Sequence, residues 1–151
     1  MQTISPSQFK IGLLRNIHLS MLRWFACNSP FQTLRVAMYR KAGVSIGKPR
    51  MFGGHVWIDL WAPVKIEENV LLGGYTFILT HSWIGNAKVA PVTIKRNVEI
   101  GVRTIIMPGI TVGENATVGA GSIVTRNVAA DTVVAGNPAR LIRTKEKTKG
   151  V

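Results

Sequence analysis

Cysteine is almost absent from this chain. Cys27 stands alone among 151 residues, which excludes an intrachain disulfide and fits a reducing compartment. No apolar run approaches the roughly 18 residues of a spanning helix, so none is expected. The N-terminus opens on polar residues and lacks a charged segment followed by an apolar core, so it does not resemble a signal peptide. The three histidines are scattered, with no pair at short spacing, which argues against a zinc site. What is present is a folded protein of one-domain size: 46% apolar residues and fifteen glycines.

The net charge of +12 is unevenly placed. Residues 1–43 hold Lys10, Arg15, Arg23, Arg35, Arg40 and Lys41 with no acid, and residues 137–151 hold five bases against Glu146. The middle, 44–136, is nearly balanced, with eight bases and six acids. Basicity confined to the flanks argues against a nucleic-acid groove in the core. It suits a membrane surface, an acidic saccharide or a phosphate-bearing cofactor.

The strongest pattern is a period of six. Ile94, Ile100, Ile106, Val112, Val118, Val124 and Ala130 recur at that spacing, each followed four residues later by a second, mostly small or β-branched position. Upstream, Ile46, Phe52 and Ile58 form one set and Ile66, Leu72, Ile78 and Ile84 another, with a two-residue shift at Ala62-Pro63. Ten residues separate Ile84 from Ile94, an apparent insertion of four after His81. This period fits neither an amphipathic helix nor simple alternation; it is that of hexapeptide β-helix repeats. Three hexads close one triangular coil, so residues 46–136 supply about five coils with an apolar column inside.

Three segments follow: an N-terminal helical segment over 1–43, the β-helix over 44–136 and a basic tail over 137–151. "SPSQ" (Ser5 to Gln8) has the signature of a helix start, and Phe9, Leu13, Ile17, Met21, Trp24 and Phe25 continue at helical spacing. A second helix is expected from Pro30 to Gly43. These helices are expected to cap the open end of the β-helix, a role compatible with membrane-surface contact.

The hexads, "ILTH" (Ile78 to His81) and above all "PVTIKRNVEIGVRTIIMPGITVGENATVGAGSIVTRNVAADTVVAGNPARLIR" (Pro91 to Arg143) resemble the hexapeptide-repeat acyltransferases. The similarity is to the maltose/galactoside and the capsular or exopolysaccharide O-acetyltransferases. The resemblance implies an all-β, left-handed parallel β-helix, assembled as a cytoplasmic homotrimer with active sites at subunit interfaces. It implies acetyl-CoA as co-substrate with no tightly bound cofactor or metal, and a saccharide hydroxyl as acceptor, in surface or exopolysaccharide synthesis. A non-catalytic β-helix serving as a binding or assembly module is the alternative.

Acetyl transfer from a thioester to a hydroxyl needs a base, an oxyanion donor and a grip on the CoA tail. By periodicity alone His81 is as well a corner histidine as a base; the resemblance makes it the general base. It also places the oxyanion donor at the amides around Gly101 and Val102, with Ala120, Thr125, Arg126, Pro138, Arg140 and Arg143 along CoA. Candidate acceptor contacts are His55, Asp59, Trp83 and Glu99. Asp59 could instead orient the base or serve the repeat, and Trp83 could stack on a sugar or anchor the loop. Glu99 stands in "NVEIG" where the family commonly has Trp, so the cleft wall differs from that of the simple-sugar enzymes. Cys27 is expected to pack rather than react, and His18 to be structural or solvated.

Overall fold

The computed structural model describes residues 20–83 and 88–146. Residues 20–28 belong to helix α1, and Gln32–Lys41 form α2, which ends at Ala42 before Gly43 turns the chain at a φ of 97°. The Ser5–Gln8 helix start, His18 and Ile84 lie outside the described residues.

Three parallel sheets follow. The first stacks β1 (Ser45–Ile46), β4 (Val64–Ile66), β9 (Val92–Ile94) and β12 (Thr111–Val112). The second stacks β2 (Met51–Phe52), β5 (Leu71–Leu72), β10 (Glu99–Ile100), β13 (Thr117–Val118) and β15 (Thr132–Gly136). The third stacks β3 (Trp57–Ile58), β6 (Phe77–Ile78), β11 (Ile105–Ile106) and β14 (Ile123–Val124). Successive strands of the chain visit the three sheets in turn, which defines a parallel β-helix. The in-register pairs are the predicted columns: Ile46, Ile66, Ile94, Val112; Phe52, Leu72, Ile100, Val118; and Ile58, Ile78, Ile106, Val124, with Val134, expected only as a second position, joining the second column after Val118. All of them are buried.

The second inward position of each hexad tolerates a hydroxyl because a corner carbonyl is in reach. Thr76, Thr104, Ser122 and Thr132 are buried, and each donates to the carbonyl three residues back at 2.7–2.9 Å. Glycine at the corners follows from how closely the coils approach. A Cβ at Gly73 would lie 2.4 Å from the Val102 nitrogen, and one at Gly101 equally close to that of Ala120.

Stacking leaves the first coil with bare backbone groups on its outer edge, and the helices satisfy them. Tyr39 Oη donates to Val56 O at 2.6 Å, Arg40 to Ile46 O and Gly47 O at 2.9 and 2.7 Å, and Arg35 to Phe52 O. The donors are met too: Phe52 N–H reaches Gln32 Oε1 at 3.0 Å and His55 N–H reaches Cys27 O at 3.0 Å. Burial raises the Tyr39 phenol well above its ordinary pKa. Arg35 and Arg40, counted above as surface charge, are therefore partners of the backbone.

Three expectations need correction. The insertion is larger than four residues: sixteen separate Ile78 from Ile94, and the extra chain projects as an antiparallel pair, β7 (His81–Ser82) with β8 (Lys88–Val89). Ala130 does not continue the column; it is exposed, and buried Val128 bridges to Val112 in its place. The described part of the segment after 136 is not a tail, because β16 (Ala139–Thr144) pairs antiparallel with β15 and Lys145 N–H bonds Asp131 O at 2.6 Å.

The corner packing predicts a contrast between neighbouring glycines. Gly73→Ala should lower unfolding stability by about 2–3 kcal/mol, because backbone, not a flexible side chain, must move. Gly54→Ala, whose Cβ meets nothing within 4 Å, should stay within about 1 kcal/mol of wild type. Urea midpoints of the two variants check this.

Candidate active site

His81 stands where the chain leaves the third sheet, at the base of the β7–β8 pair. Thr80, just before it, is buried: its carbonyl accepts from Ala90 N–H at 2.9 Å, closing the projecting segment. Its hydroxyl accepts from the amides of Trp61 and Ala62 at 3.1 and 3.2 Å, tying the corner to the coil below. The imidazole is thus carried on a fixed corner, with its side chain 27% exposed.

Behind it lies Asp59, whose side chain is only 3% exposed. Its Oδ2 accepts from Thr80 N–H at 3.2 Å and contacts His81 Nδ1, while Oδ1 accepts from Leu60 N–H at 2.9 Å. A carboxylate on Nδ1 holds the proton there and leaves Nε2 as the nitrogen with a lone pair. Two exposed indoles flank the ring: Trp61 at 5.1 Å and Trp83 at 5.5 Å, themselves 5.7 Å apart and nearly perpendicular. The result is a proton acceptor between apolar plates, backed by a buried negative charge.

Among the acceptor candidates, the structure brings together His81, Asp59 and Trp83. Asp59 sits behind the imidazole with both oxygens engaged, which suits orientation of the base rather than contact with an acceptor. His55 is on the opposite edge of the third sheet, at a φ of 56°, stacked on Tyr75 at 4.6 Å. Glu99 faces outward from the second sheet, paired with Arg50 and accepting from Thr117 Oγ1 at 3.2 Å. Within one chain neither His55 nor Glu99 joins the His81 corner.

The residues expected along CoA divide between the same two edges. Thr125 and Arg126 follow β14 at the corner on which His81 stands, farther along the stack, and both are exposed. Gly101, Val102 and Ala120 lie on the His55 edge. The Gly101 amide is already committed to Val118 O at 2.8 Å, so it is no oxyanion donor; the Val102 amide has no acceptor among the described residues. Pro138 occupies the β15–β16 turn, and Arg140 and Arg143 are exposed on β16. Cys27 is half-buried, and burial pushes its thiol pKa up, the opposite of an activated nucleophile. Among the described residues no group of three or more His, Cys, Asp and Glu side chains converges.

Two participants were missed by sequence reasoning. Trp61 reaches His81 because the two-residue shift at Ala62-Pro63 bulges the corner one coil below; that shift was the available signal. Arg23, in α1, lies 3.7 Å from Asp59 Oδ1, and no spacing rule links residue 23 to a repeat.

A coiled stack of hexads is the architecture of the hexapeptide-repeat proteins. A family model described as the hexapeptide repeat of succinyl-transferase matches residues 91–126. "Putative acetyltransferase YvoF" of Bacillus subtilis is 36% identical over 123 residues, covering 79% of this chain and 72% of that protein. Galactoside O-acetyltransferase of Escherichia coli is 51% identical over 82 residues, 53% of this chain but 40% of that protein. The hexapeptide-repeat acetyltransferase VCA0836 of Vibrio cholerae superposes with a TM-score of 0.76 at 26% identity, over 91% of this chain and 94% of that one. A second structure of that protein is complexed with acetyl coenzyme A, and this chain matches it at 24% identity and a TM-score of 0.71 over 97% and 94% of the two chains. The chain belongs to the hexapeptide-repeat acetyltransferase family.

Glu99 provides a test of the outer face. The Arg50 hydrogen bond, followed by that of Thr117 and the Arg50 charge, holds its carboxyl below the usual range against a smaller opposing effect of burial. A lowered folded pKa contributes stability above the unfolded value and loses it as pH falls through the folded one. The melting-temperature advantage of wild type over Glu99→Gln should therefore be full at neutral pH and vanish between about pH 5 and 3. Thermal melts across that range check it.

Proposed function

We propose that this protein transfers the acetyl group of acetyl-CoA to a hydroxyl of a saccharide, with His81 Nε2 as general base. The observation that carries the reading is the His81–Asp59 pair set between Trp61 and Trp83. A buried carboxylate on Nδ1 leaves Nε2 to take the hydroxyl proton as the oxygen attacks the thioester carbonyl. The tetrahedral intermediate then expels the CoA thiolate, which recovers the proton from the imidazolium. Exposed indole faces beside the base suit the apolar face of a pyranose ring. Family membership and the acetyl coenzyme A complex of the Vibrio cholerae relative support acetyl-CoA as donor.

The assembly we propose is a left-handed β-helix of about five coils that forms a trimer. Its support is the outward face of the third sheet, where Trp57, Phe77, Ile105 and Ile123 present an apolar stripe. Covering that stripe with a second copy would bring one copy's His55–Val102 edge towards another's His81 corner. The open Val102 amide is then the oxyanion donor of the pair, and Arg126, Arg140 and Arg143 meet the CoA phosphates. The described residues of segments 1–43, 44–136 and 137–151 act as cap, catalytic stack and closing strand.

Release of CoA with a panel of mono- and oligosaccharides tests the reading. His81→Ala should lower kcat/KM by about 10²–10⁴-fold with the assembly mass unchanged by light scattering. Trp61→Ala and Trp83→Ala should raise the acceptor KM more than they lower kcat. Full activity of His81→Ala removes it as base, and a chain that binds no acetyl-CoA by calorimetry is a non-catalytic module.

We place this activity in surface-polysaccharide synthesis, at the cytoplasmic membrane face. No helix among the described residues is long and apolar enough to cross a membrane. Met21, Trp24, Phe25, Phe31 and Leu34 nevertheless form an exposed apolar surface on α1 and α2. Arg23 and Arg35 are engaged inside the molecule and exposed Arg40 is tied to the Ile46 and Gly47 carbonyls, so among the described residues contact would rest on these apolar groups with Arg40 and Lys41. Sedimentation with anionic vesicles should fall about tenfold for the Trp24→Ser/Phe31→Ser double variant; unchanged sedimentation sinks the membrane placement.

A further inference from the structure

The N-terminal helix reaches into the candidate active site through one side chain. Arg23 Nη1 lies 3.7 Å from Asp59 Oδ1, and Nη2 donates to Ser20 Oγ at 3.3 Å. The guanidinium is 4.4 Å from the centre of the Trp57 ring, and its side chain is 17% exposed. Its Nε is buried with no hydrogen-bond partner among the described residues. A side chain clamped from three directions and partly unsatisfied is held there by what it faces.

What it faces is a carboxylate almost closed to water. Asp59 receives the amides of Leu60 and Thr80 and the Nδ1 of His81, and two neutral amides do not offset a buried negative charge. His81 supplies a positive charge only once it has taken a proton. Arg23 supplies one permanently. Among the described residues no other charged group competes: from α2, Arg35 and Arg40 are directed to backbone carbonyls and Tyr39 to Val56 O. On β8, Lys88 extends towards Gly109.

We infer that Arg23 is a positioning residue for the base: it keeps Asp59 ionised while His81 is neutral, and it lowers the proton affinity of the pair. The cap over the β-helix would then also complete the active site. This rests on the reading of His81 as base, but its physical content, the coupling of Arg23 to the protonation of His81, is measurable without any turnover. The direction follows from electrostatics. Removing a fixed cation beside the pair favours the protonated imidazole, so His81 should titrate at higher pH.

Proton NMR titration of the imidazole C2–H resonances of the full chain provides the test, with His81 assigned by its loss in His81→Asn. In Arg23→Gln and Arg23→Met the His81 midpoint should rise by about 0.5–1 pH unit. It should return towards wild type in Arg23→Lys, with His55 unmoved throughout. The acidic limb of kcat/KM against pH should move by the same amount. A His81 midpoint fixed to within about 0.2 unit in folded variants overturns the inference, as does an equal shift of His55, which would mark a global change. Should neither neutral variant fold, Ser20→Ala removes only the hydroxyl that holds Nη2; an upward shift is again expected, and a fixed midpoint again overturns the proposal. An active His81→Ala would defeat the base reading while leaving the titration result standing, so the two failures are distinguishable.

Discussion

Everything in this molecule depends on main-chain hydrogen bonds running from coil to coil. A hexad strand of two or three residues has no stability alone; each N–H and C=O is satisfied only by the turn above or below. The inner apolar columns follow from that stacking, and so does the need for glycine where the corners touch. An end coil must be finished by something other than another coil. At the start, Tyr39, Arg35, Arg40 and Gln32 meet the exposed carbonyls and amides one by one. At the far end the chain turns back, and β16 covers the second sheet.

The same constraint explains where chemistry becomes possible. A regular coil turns one apolar residue of each strand inward and keeps its corners short and tightly stacked. Reactive groups need a break in that order. The ten extra residues between Ile78 and Ile94 provide it: the chain departs at Thr80, runs out along β7 and returns along β8. Thr80 keeps the corner rigid by bonding both ways, so the departure does not loosen His81. A smaller irregularity at Ala62-Pro63, one coil below, brings Trp61 alongside. Two faults in the repeat, stacked on each other, make the candidate site.

The acid–base pair draws on the cap as well as on the coils. Asp59 could be buried only with a compensating charge nearby, and that charge comes from α1, outside the repeat altogether. The basic N-terminal segment thus has a different meaning from the one its composition suggested. Three of its bases, Arg23, Arg35 and Arg40, bond backbone or a carboxylate, and the exposed surface of these helices includes the large apolar side chains Met21, Trp24, Phe25, Phe31 and Leu34.

The six-residue period was legible because each coil repeats the same local demand for an inward apolar residue; among the described residues, the series from Ile46 to Ile78 and from Ile94 to Val124 took the positions that spacing assigned them. The histidine at the break stood out in the sequence, but periodicity made it as well a corner histidine as a base, and only the family resemblance favoured the base. Where the period faded, spacing misled: Ala130 kept the count of six but not the column, since the last turn bridges at Val128. Which residues meet around His81 was decided only by the tertiary structure. Asp59, Trp61 and Arg23 are 22, 20 and 58 positions away from His81, and they converge because coils stack and a helix folds over them. A local repeat specifies which way each side chain points. It does not specify what lies across the gap between one coil, its neighbour and the cap, because that is set by contacts between distant segments.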